Sequence, residues 1–488
     1  MNLASLVVGH DAEAPALHDG SSWSSWGDLR ERAAGVVAAL QRVEVAPGDR
    51  VAVVWSNSSQ FVACYVGVMA AGAVAVPLNP ASPGPELQSE LQAVRPSVVL
   101  CGTDTGAVLR GLARLGDVVV VDDLPARSSA PLAPVDRGDG EPAVLLFTSG
   151  TAGPARPAVL SHGNLRANLH QMLSLPGDLS RRHDVAFTAV PLFHVFGLNV
   201  ALGLSLVTGA ALVVEDHFDP VASWSLMSQL AVTTVVGVPA MFAAWVELAS
   251  VGRLPPAERL RLAVCGAAPL APETAHAFEE LTGITLWSGY GLTEASPVVT
   301  TTLGTGRNLP GSVGRPLPGV ELRLVDEAGD DVLHGDPGEI WVRGDNIFGG
   351  YFEDPASTAE VLTGDGWLRT GDIAVLGDDG DLFVVDRRKD LVIVSGFNVF
   401  PAEVEQVLRS VPGVQDVVVV GRPDPVAGEL VEAVVVVDGA GHSLTEDDLR
   451  QACAASLARY KCPKAIRFVD ELPRGLVGKA LRRAVRDQ

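Results

Sequence analysis

The sequence is poor in cysteine, and no positive charge lies near its start. Its 488 residues include five cysteines, an odd number, and these lack the spacing of metal ligands. This usage predicts a reducing compartment and argues against a disulfide framework. The first lysine or arginine is Arg30, so no charged segment opens a secretory signal peptide. We therefore expect a cytoplasmic protein.

Basic residues are scarce relative to acidic ones. The sequence has 36 lysines and arginines against 58 aspartates and glutamates, which gives a formal net charge of −22. Such a charge argues against a nucleic-acid-binding surface and against docking on anionic lipid. An anionic ligand can be bound only where cations are focused in a local site.

Apolar residues make up 47% of the chain, enough for a sizeable core, and 488 residues predict a large domain with at least one more. The uncharged residues 195–214 are long enough to span a membrane. They are interrupted by Asn199, Ser205 and three glycines, and no basic flank follows closely. We therefore expect a buried helix and strand here and no transmembrane segment.

The sequence contains no Walker A loop, yet one stretch has the chemistry of a phosphate site. The apolar residues 143–147 predict a short buried strand, and Thr148-Ser149-Gly150-Thr151-Ala152-Gly153-Pro154-Ala155-Arg156-Pro157 follows. Glycines let backbone N–H groups approach an anion, hydroxyls add donors, and Arg156 supplies a fixed positive charge. The alternative is an ordinary Ser/Gly surface turn, and this stretch alone does not decide between the two.

Strand and helix patterns alternate through the first 142 residues, which predicts a parallel sheet covered on both faces. Helical spacing occurs at residues 26–40 and 61–71. Apolar or β-branched runs predict strands at residues 51–55, 73–78, 97–101 and 118–121.

Several later strands are followed by chemically distinctive residues. His194 lies between aromatics after one apolar run, and the small residues Gly266-Ala267-Ala268 after another would let a flat ring lie on the backbone. Tyr290, between glycines, could stack on a base, and Glu294 could hold a hard cation. Taken singly, His194, Tyr290 and Glu294 are better explained as a core or surface histidine, a turn aromatic and a solvated carboxylate.

The pattern changes after Gly311 to short alternating strands, which predicts an antiparallel β section. This section contains Asp372 and ends in the cluster Asp386-Arg387-Arg388-Lys389-Asp390, which is either an exposed turn or a hinge. We take residues 1–386 as a large domain and residues 387–488 as a small one. Lys479 follows a glycine-containing loop that could carry it into the site of another domain.

Taken together and in this order, the motifs resemble those of the adenylate-forming superfamily of acyl-CoA synthetases, adenylation domains and beetle luciferases. The resemblance covers nearly the whole chain and is closest to fatty acyl-CoA ligases. It implies an α/β fold, with a large N-terminal domain of layered sheets, a β-rich subdomain and a small mobile α+β C-terminal domain. It also implies ATP, Mg²⁺ and coenzyme A as cofactors.

The resemblance assigns roles to individual residues of this chain. Lys479 would serve adenylation, His194 would lie at the acyl pocket, and Arg156 would supply the cation of the phosphate loop. The implied metal residues are Thr148 and Glu294. The implied nucleotide and coenzyme A positions are Thr148, Ser149, Gly150, Thr151, Gly153, Gly266, Ala267, Ala268, Gly289, Tyr290, Gly291, Thr293, Asp372, Arg387, Lys389 and Gly396.

The implied chemistry has two steps. Attack of a carboxylate on the α-phosphate of ATP gives an acyl-adenylate and pyrophosphate, and a thiol then displaces AMP. Charge develops on the phosphates, so the first step needs positioned cations and donors. One site serves both steps if the small domain rotates, so that Lys479 is presented first and the Gly396 loop second.

The phosphate loop departs from the usual family pattern at Ala152, Ala155, Arg156 and Pro157. Arginine keeps the charge of the usual lysine without being equivalent to it, and proline removes a donor. A weakened, non-catalytic paralogue therefore stays open as an alternative.

The sequence also bears on the carboxylic acid substrate and on the thiol acceptor. Amino-acid-activating relatives place an aspartate near the His194 position, and residues 190–204 contain no carboxylate. The expected pocket is apolar, which suits a fatty or aromatic acid, and its residues are Phe196, Leu198, Val238, Met241, Phe242 and Val298. We expect coenzyme A as the acceptor, because the small domain takes up residues 387–488 and we expect no attached carrier domain. An acyl carrier protein as a separate partner stays open, and nothing in the sequence favours a luciferase-like oxygenase.

Overall fold

The computed structural model describes residues 1–111, 118–122, 124, 127–148, 156–177, 179–252, 254, 257–306, 308–387, 390–394, 397–424, 428–437, 444–474 and 480–486. Two compact units are present. Unit 1 is formed by Met1–Gly150, Pro154–Glu321 and Val342–Leu368, and unit 2 mainly by Leu322–Trp341 and Arg369–Gln488. The predicted domain boundary between residues 386 and 387 stays a prediction.

Unit 1 contains two large sheets. Its strands are β1 (Pro15–His18), β2 (Trp23–Ser25), β3 (Arg50–Val54), β4 (Val74–Leu78), β5 (Val98–Cys101), β6 (Val119–Val121), β7 (Pro142–Phe147), β8 (Pro157–Ser161), β9 (Val185–Thr188), β10 (Ala211–Val214), β11 (Thr234–Gly237), β12 (Leu262–Cys265), β13 (Leu286–Gly291), β14 (Val298–Thr301) and β15 (Arg315–Pro316). The six-stranded sheet has the order β6-β5-β3-β4-β7-β8, and the nine-stranded sheet has the order β15-β14-β13-β12-β11-β9-β10-β1-β2.

Both sheets are parallel in their centres and antiparallel at edges. In the six-stranded sheet only the β7–β8 pair is antiparallel. The central strands β3 and β4 are valine-rich and almost wholly buried, as expected for a sheet covered on both faces. The predicted α/β class is therefore confirmed.

The helices of unit 1 are α1 (Trp26–Arg42), α2 (Ser59–Ala70), α3 (Gly84–Val94), α4 (Thr103–Arg110), α5 (His162–Leu173), α6 (Leu204–Thr208), α7 (Pro220–Gln229), α8 (Pro239–Ser250), α9 (Pro272–Thr282) and α10 (Pro355–Val361). Helix α5 begins at a capping box in which Ser161 and Asn164 satisfy each other's backbone N–H groups. This cap fixes the start of α5 directly after β8.

The uncharged residues 195–214 fold as predicted, into a buried helix and a strand. They form a π-helix (Phe196–Gly203), helix α6 and strand β10, all of them largely buried. Across the described residues, no helix combines the length and the apolar character that crossing a membrane requires.

Unit 2 contains two smaller sheets. Its elements are β16 (Glu321–Val325), β17 (Gly338–Arg343), β18 (Leu368–Leu376), β19 (Leu382–Arg387), β20 (Val392–Val394), β21 (Phe397–Val399), α11 (Pro401–Arg409), β22 (Val414–Asp424), β23 (Gly428–Val437), α12 (Glu446–Ser456), β24 (Ala465–Val469) and α13 (Arg482–Arg486). The first four strands form one sheet in sequence order, and β20 to β24 form the other. The pairing of β18 with β19 is antiparallel, as predicted.

A partly buried arginine joins several elements of unit 2. Arg482 of α13 lies 2.8 Å from Glu405 of α11, 3.0 Å from Asp386 of β19 and 3.5 Å from Asp390. Burial alone would lower the pKa of Arg482, but the carboxylates of Glu405 and Asp386 raise it, so the guanidinium stays charged. We call these four residues the Arg482 cluster.

Candidate active site

The predicted phosphate loop connects the two strands of a β-hairpin. Strands β7 and β8 pair with Phe147 opposite Pro157, and the Thr148 N–H donates to the Arg156 carbonyl at 2.9 Å. Thr148 and Arg156 therefore face each other across the base of the loop. Ser149, Gly150, Thr151 and Gly153 lie outside the described residues.

Pro157 has a structural explanation. It is the first residue of β8, a position where a strand tolerates proline. Its carbonyl accepts a hydrogen bond from the Phe352 N–H at 2.8 Å. The proline that departs from the family pattern therefore fits the hairpin without loss of strand pairing.

Glu294 is held by a tyrosine that the sequence did not indicate. Glu294 lies in a short 3₁₀ helix, Thr293–Ala295, which also contains the predicted residue Thr293. The Tyr351 hydroxyl donates to Glu294 Oε1 at 2.7 Å. Burial, and then the neighbouring Glu294 carboxylate, raise the pKa of the Tyr351 phenol, so it remains a donor. Tyr351 follows two glycines, a pattern related to that of Tyr290, which lies between two glycines.

Arg156 lies near the ring of the same tyrosine. Its guanidinium carbon is 5.8 Å from the centre of the Tyr351 ring, and its Nε is 3.7 Å from Asp354 Oδ2. Both distances allow attraction, the first of cation–π type. The structure thus brings the predicted loop cation and the predicted metal carboxylate together around Tyr351.

The donor set suits a magnesium ion that arrives with a nucleotide. Mg²⁺ is commonly bound by one or two carboxylates together with substrate phosphates. In the described part of the chain, no group of three or more His, Cys, Asp or Glu side chains gathers as a metal site. A single oriented carboxylate at Glu294 fits a metal that phosphates help to bind.

Several of the predicted nucleotide-binding residues lie at one edge of the nine-stranded sheet. Strands β11, β12 and β13 are adjacent and parallel, so their carboxyl ends share an edge. Gly266, Ala267 and Ala268 follow β12, and Tyr290 lies near the end of β13. Ligands of open α/β sheets bind outside such carboxyl ends.

Gly266 touches the predicted acyl pocket. A Cβ at this position would lie only 2.7 Å from the Phe196 ring, so glycine is required for the observed packing. The next residue, Ala267, has a φ of +67°, a left-handed conformation that costs a non-glycine residue about 1 kcal/mol or more. The tight turn predicted from small residues is therefore present.

The two glycines beside Tyr290 have a packing reason of their own. A Cβ on Gly289 would lie 2.6 Å from the Thr300 carbonyl oxygen, and one on Gly291 would lie 2.1 Å from that of Pro297. Both contacts are with the backbone, which cannot move aside as a side chain can. These glycines let the chain return close to β13 and leave Tyr290 half-buried between them.

His194 is neutral and held in one tautomer. Burial lowers its pKa to about 4. The Phe196 N–H donates to His194 Nδ1 at 3.2 Å, which places the proton of the neutral ring on Nε2. His194 can therefore donate one hydrogen bond to a substrate carboxylate, but it is not a cation at neutral pH.

One predicted pocket residue, Phe242, also packs in the aromatic core. Phe242 is fully buried and packs edge-to-face against Trp245 and Phe278. Phe196 instead lies against Gly266, and the Met241 side chain approaches Gly237 at the end of β11. The Phe242 ring approaches the same glycine, so all three side chains lie near the strand ends.

Unit 2 brings together the residues implied at the ribose. Asp372 of β18 and Arg387 of β19 are directly opposite each other in the antiparallel pair. Asp372 is buried, and its N–H donates to Thr370 Oγ1 at 3.1 Å. The Arg387 side chain, Lys389, Gly396 and Lys479 lie outside the described residues.

Two histidines with a lowered pKa predict a pH-dependent stability. Burial lowers the pKa of both His162 and His194 to about 4. The unfolded chain takes up these protons below about pH 6.5, while the folded chain does not until about pH 4. The free energy of unfolding should therefore fall between pH 6.5 and 4, by about 1.4 kcal/mol per pH unit for each histidine. Urea unfolding at several pH values measures this slope.

His194→Asn provides the matched comparison for that slope. In this variant only His162 remains of the two histidines. Their joint contribution to the slope of unfolding free energy against pH should therefore fall by about half. An unchanged slope in the variant would show that His194 is accessible to protons in the folded state.

The fold is that of a nucleotide-binding α/β enzyme, and two family models identify the family. The AMP-binding enzyme model matches residues 7–352, and the AMP-binding enzyme C-terminal domain model matches residues 403–479. The chain therefore belongs to the AMP-binding enzyme family.

Individual relatives match along nearly the whole chain. A long-chain-fatty-acid–CoA ligase of Yersinia pestis is 34% identical, with 98% of this chain and 92% of that protein covered. A feruloyl-CoA synthase of Amycolatopsis sp is 36% identical, with 97% and 95% covered. The solved structure of ATP-bound MatB from Rhodopseudomonas palustris has a TM-score of 0.91 at 31% identity, with 100% and 98% covered. The predicted resemblance is confirmed.

Proposed function

We propose that the acid activated by this chain is a fatty or aryl carboxylic acid, with a fatty acid favoured. The chain is an AMP-forming acid–CoA ligase that uses ATP, Mg²⁺ and coenzyme A, as the family and its CoA-ligase relatives indicate. The observation that carries the assignment in this chain is the placement of Arg156 and Glu294 around one tyrosine, beside the predicted phosphate loop.

The residue roles follow from where charge develops. As the carboxylate attacks the α-phosphate, Arg156 and Lys479 would offset the charge on the phosphates. Thr148 and Glu294 would hold Mg²⁺, which neutralises phosphate charge when bound. His194 would orient the acid through its Nε2–H, and Asp372 with Arg387 would bind the ribose.

The apolar wall at the strand ends supports the acid class. Phe196 and Met241 are buried side chains that approach glycines at the ends of β12 and β11. No carboxylate lies in residues 190–204 to pair with an ammonium group. The cytoplasm is the proposed location, since the five cysteines are all free.

Pyrophosphate release tests the function directly. The purified protein is incubated with ATP, Mg²⁺ and a panel of fatty, benzoic and cinnamic acids, with and without coenzyme A. Pyrophosphate release that depends on the acid and continues only with coenzyme A would support the ligase function and identify the acid substrate. A single burst despite coenzyme A would point to a carrier protein as acceptor. Binding of ATP without release would favour a weakened paralogue.

Phe196 provides a prediction for the acid pocket. Phe196→Ala should lower kcat/KM for the preferred acid by about 10- to 100-fold, because one large apolar contact is lost. The KM for ATP should change little. Phe218→Ala is the control, since the Phe218 ring packs on Trp245 in the aromatic core. Equal losses for acid and ATP would contradict a pocket role for Phe196.

A further inference from the structure

Residues 348–352 connect the phosphate hairpin to the metal carboxylate. The Phe348 N–H donates to the Glu294 carbonyl at 2.8 Å, and the Phe352 N–H donates to the Pro157 carbonyl at 2.8 Å. Between them, the Val159 N–H donates to the Gly350 carbonyl at 3.0 Å. We call residues 348–352 the bridging segment, because its backbone bonds to both β8 and the Glu294 turn.

The Tyr351 side chain also links the hairpin to the Glu294 turn. Its hydroxyl donates to Glu294 Oε1 at 2.7 Å, while its ring lies 5.8 Å from the Arg156 guanidinium. Its own N–H donates to Thr358 Oγ1 at 2.9 Å, so its backbone is fixed to α10. One immobilised side chain thus contacts an anion through its hydroxyl and a cation through its ring.

We propose that Tyr351 is a positioning residue that holds the Glu294 carboxylate and the Arg156 guanidinium in a fixed relation for the metal–nucleotide complex. The proposal rests on the proposed function, because it assigns Glu294 to the metal and Arg156 to the phosphates. Tyr351 would act through these two residues.

The same arrangement explains why arginine suits position 156. A planar guanidinium stacks on an aromatic ring and bonds sideways to a carboxylate, whereas an ammonium is a compact point charge on a flexible stem. Tyr351 supplies the ring, and Asp354, 3.7 Å from Nε, supplies the carboxylate. The loop cation is thereby restrained before the nucleotide arrives, which reduces the ordering cost of binding.

Tyr351→Phe separates the two contacts. It removes the hydrogen bond to Glu294 and keeps a ring for Arg156. We expect the affinity for Mn²⁺, measured by electron paramagnetic resonance with a non-hydrolysable ATP analogue, to fall about 10-fold, the usual effect of losing a partner that orients a metal ligand. The affinity for the analogue in EDTA should stay within about twofold, because Arg156 remains in place.

Tyr351→Leu removes both contacts and should weaken metal-free nucleotide binding as well. Tyr65→Phe, which deletes the hydroxyl of a buried tyrosine in α2, is the matched control and should change neither affinity. Thermal unfolding of each variant establishes that it is folded.

A double-mutant cycle decides whether Tyr351 acts through Glu294. In a Glu294→Gln background, Tyr351→Phe should cause no further loss of Mn²⁺ affinity, because the carboxylate it orients is already gone. An equal additional loss in that background would overturn the proposal, as would unchanged Mn²⁺ affinity in Tyr351→Phe alone. Failure of the unsubstituted protein to bind the metal–nucleotide complex would instead refute the proposed function.

Discussion

Replacement of Lys479 with alanine should slow acyl-adenylate formation by about 10²- to 10³-fold, the usual cost of removing one group that stabilises developing charge. The ammonium would interact with phosphate charge that is present only in the first step. Thiolysis of supplied acyl-AMP by coenzyme A should therefore change by less than about threefold. Single-turnover assays of the two half-reactions measure this difference.

Two further variants make the Lys479 experiment specific. Lys479→Arg keeps the charge with a different shape and should recover part of the first step. Arg42→Ala, which removes an exposed cation from the last turn of α1, should leave both steps unchanged. Equal losses in the two half-reactions of Lys479→Ala would contradict alternation of the small domain.

Replacement of Arg482 with alanine should destabilise unit 2 by about 3 to 5 kcal/mol, because carboxylates would remain buried without their counter-charge. The Asp386 side chain is 1% exposed and the Glu405 side chain is 6% exposed. Both also accept backbone N–H groups, from Ala402 and Val419, so they cannot turn outward without further loss. Urea unfolding, with hydrogen exchange in α11 and β22, measures the effect.

A surface arginine in the same unit is the control for this cluster. Arg450→Ala removes an exposed ion pair with Glu446 on α12 and should cost less than about 1 kcal/mol. In the Arg482→Ala background, Glu405→Gln should restore part of the stability, since it removes a buried charge. If Arg482→Ala and Arg450→Ala lowered the free energy of unfolding by similar amounts, burial would not strengthen the ion pairs of the Arg482 cluster.

Elements with a strong local pattern could be predicted from the sequence. Helical spacing at residues 26–40 corresponds to α1, and the valine run at residues 51–55 corresponds to β3. The helix start at Ser161 was also predictable, because its capping residues are only three positions apart. Such patterns reflect interactions between neighbours in the chain, which the sequence displays directly.

Features that depend on distant contacts were missed. Tyr351 reaches Glu294 from 57 positions away, and no periodicity links the two residues. The packing of the Phe242 ring against Trp245 and Phe278 was likewise not visible in the sequence, because an apolar side chain gives no sign of which rings it contacts. The roles of Arg156, Glu294 and His194 came from the family resemblance, and the structure adds their orientation.

The nine-stranded sheet has a consequence for synthesis of the protein. Strand β1 pairs in parallel with β10, so Leu17 is opposite Leu212. A ribosome that adds about 5 to 20 residues per second needs roughly 10 to 40 s to make the intervening chain. During that interval the β1–β2 hairpin has an unpaired edge, while the strands of the six-stranded sheet, from β3 to β8, emerge together. The six-stranded sheet should therefore fold before the nine-stranded one, and the first hairpin should be a site for chaperone binding until β10 arrives.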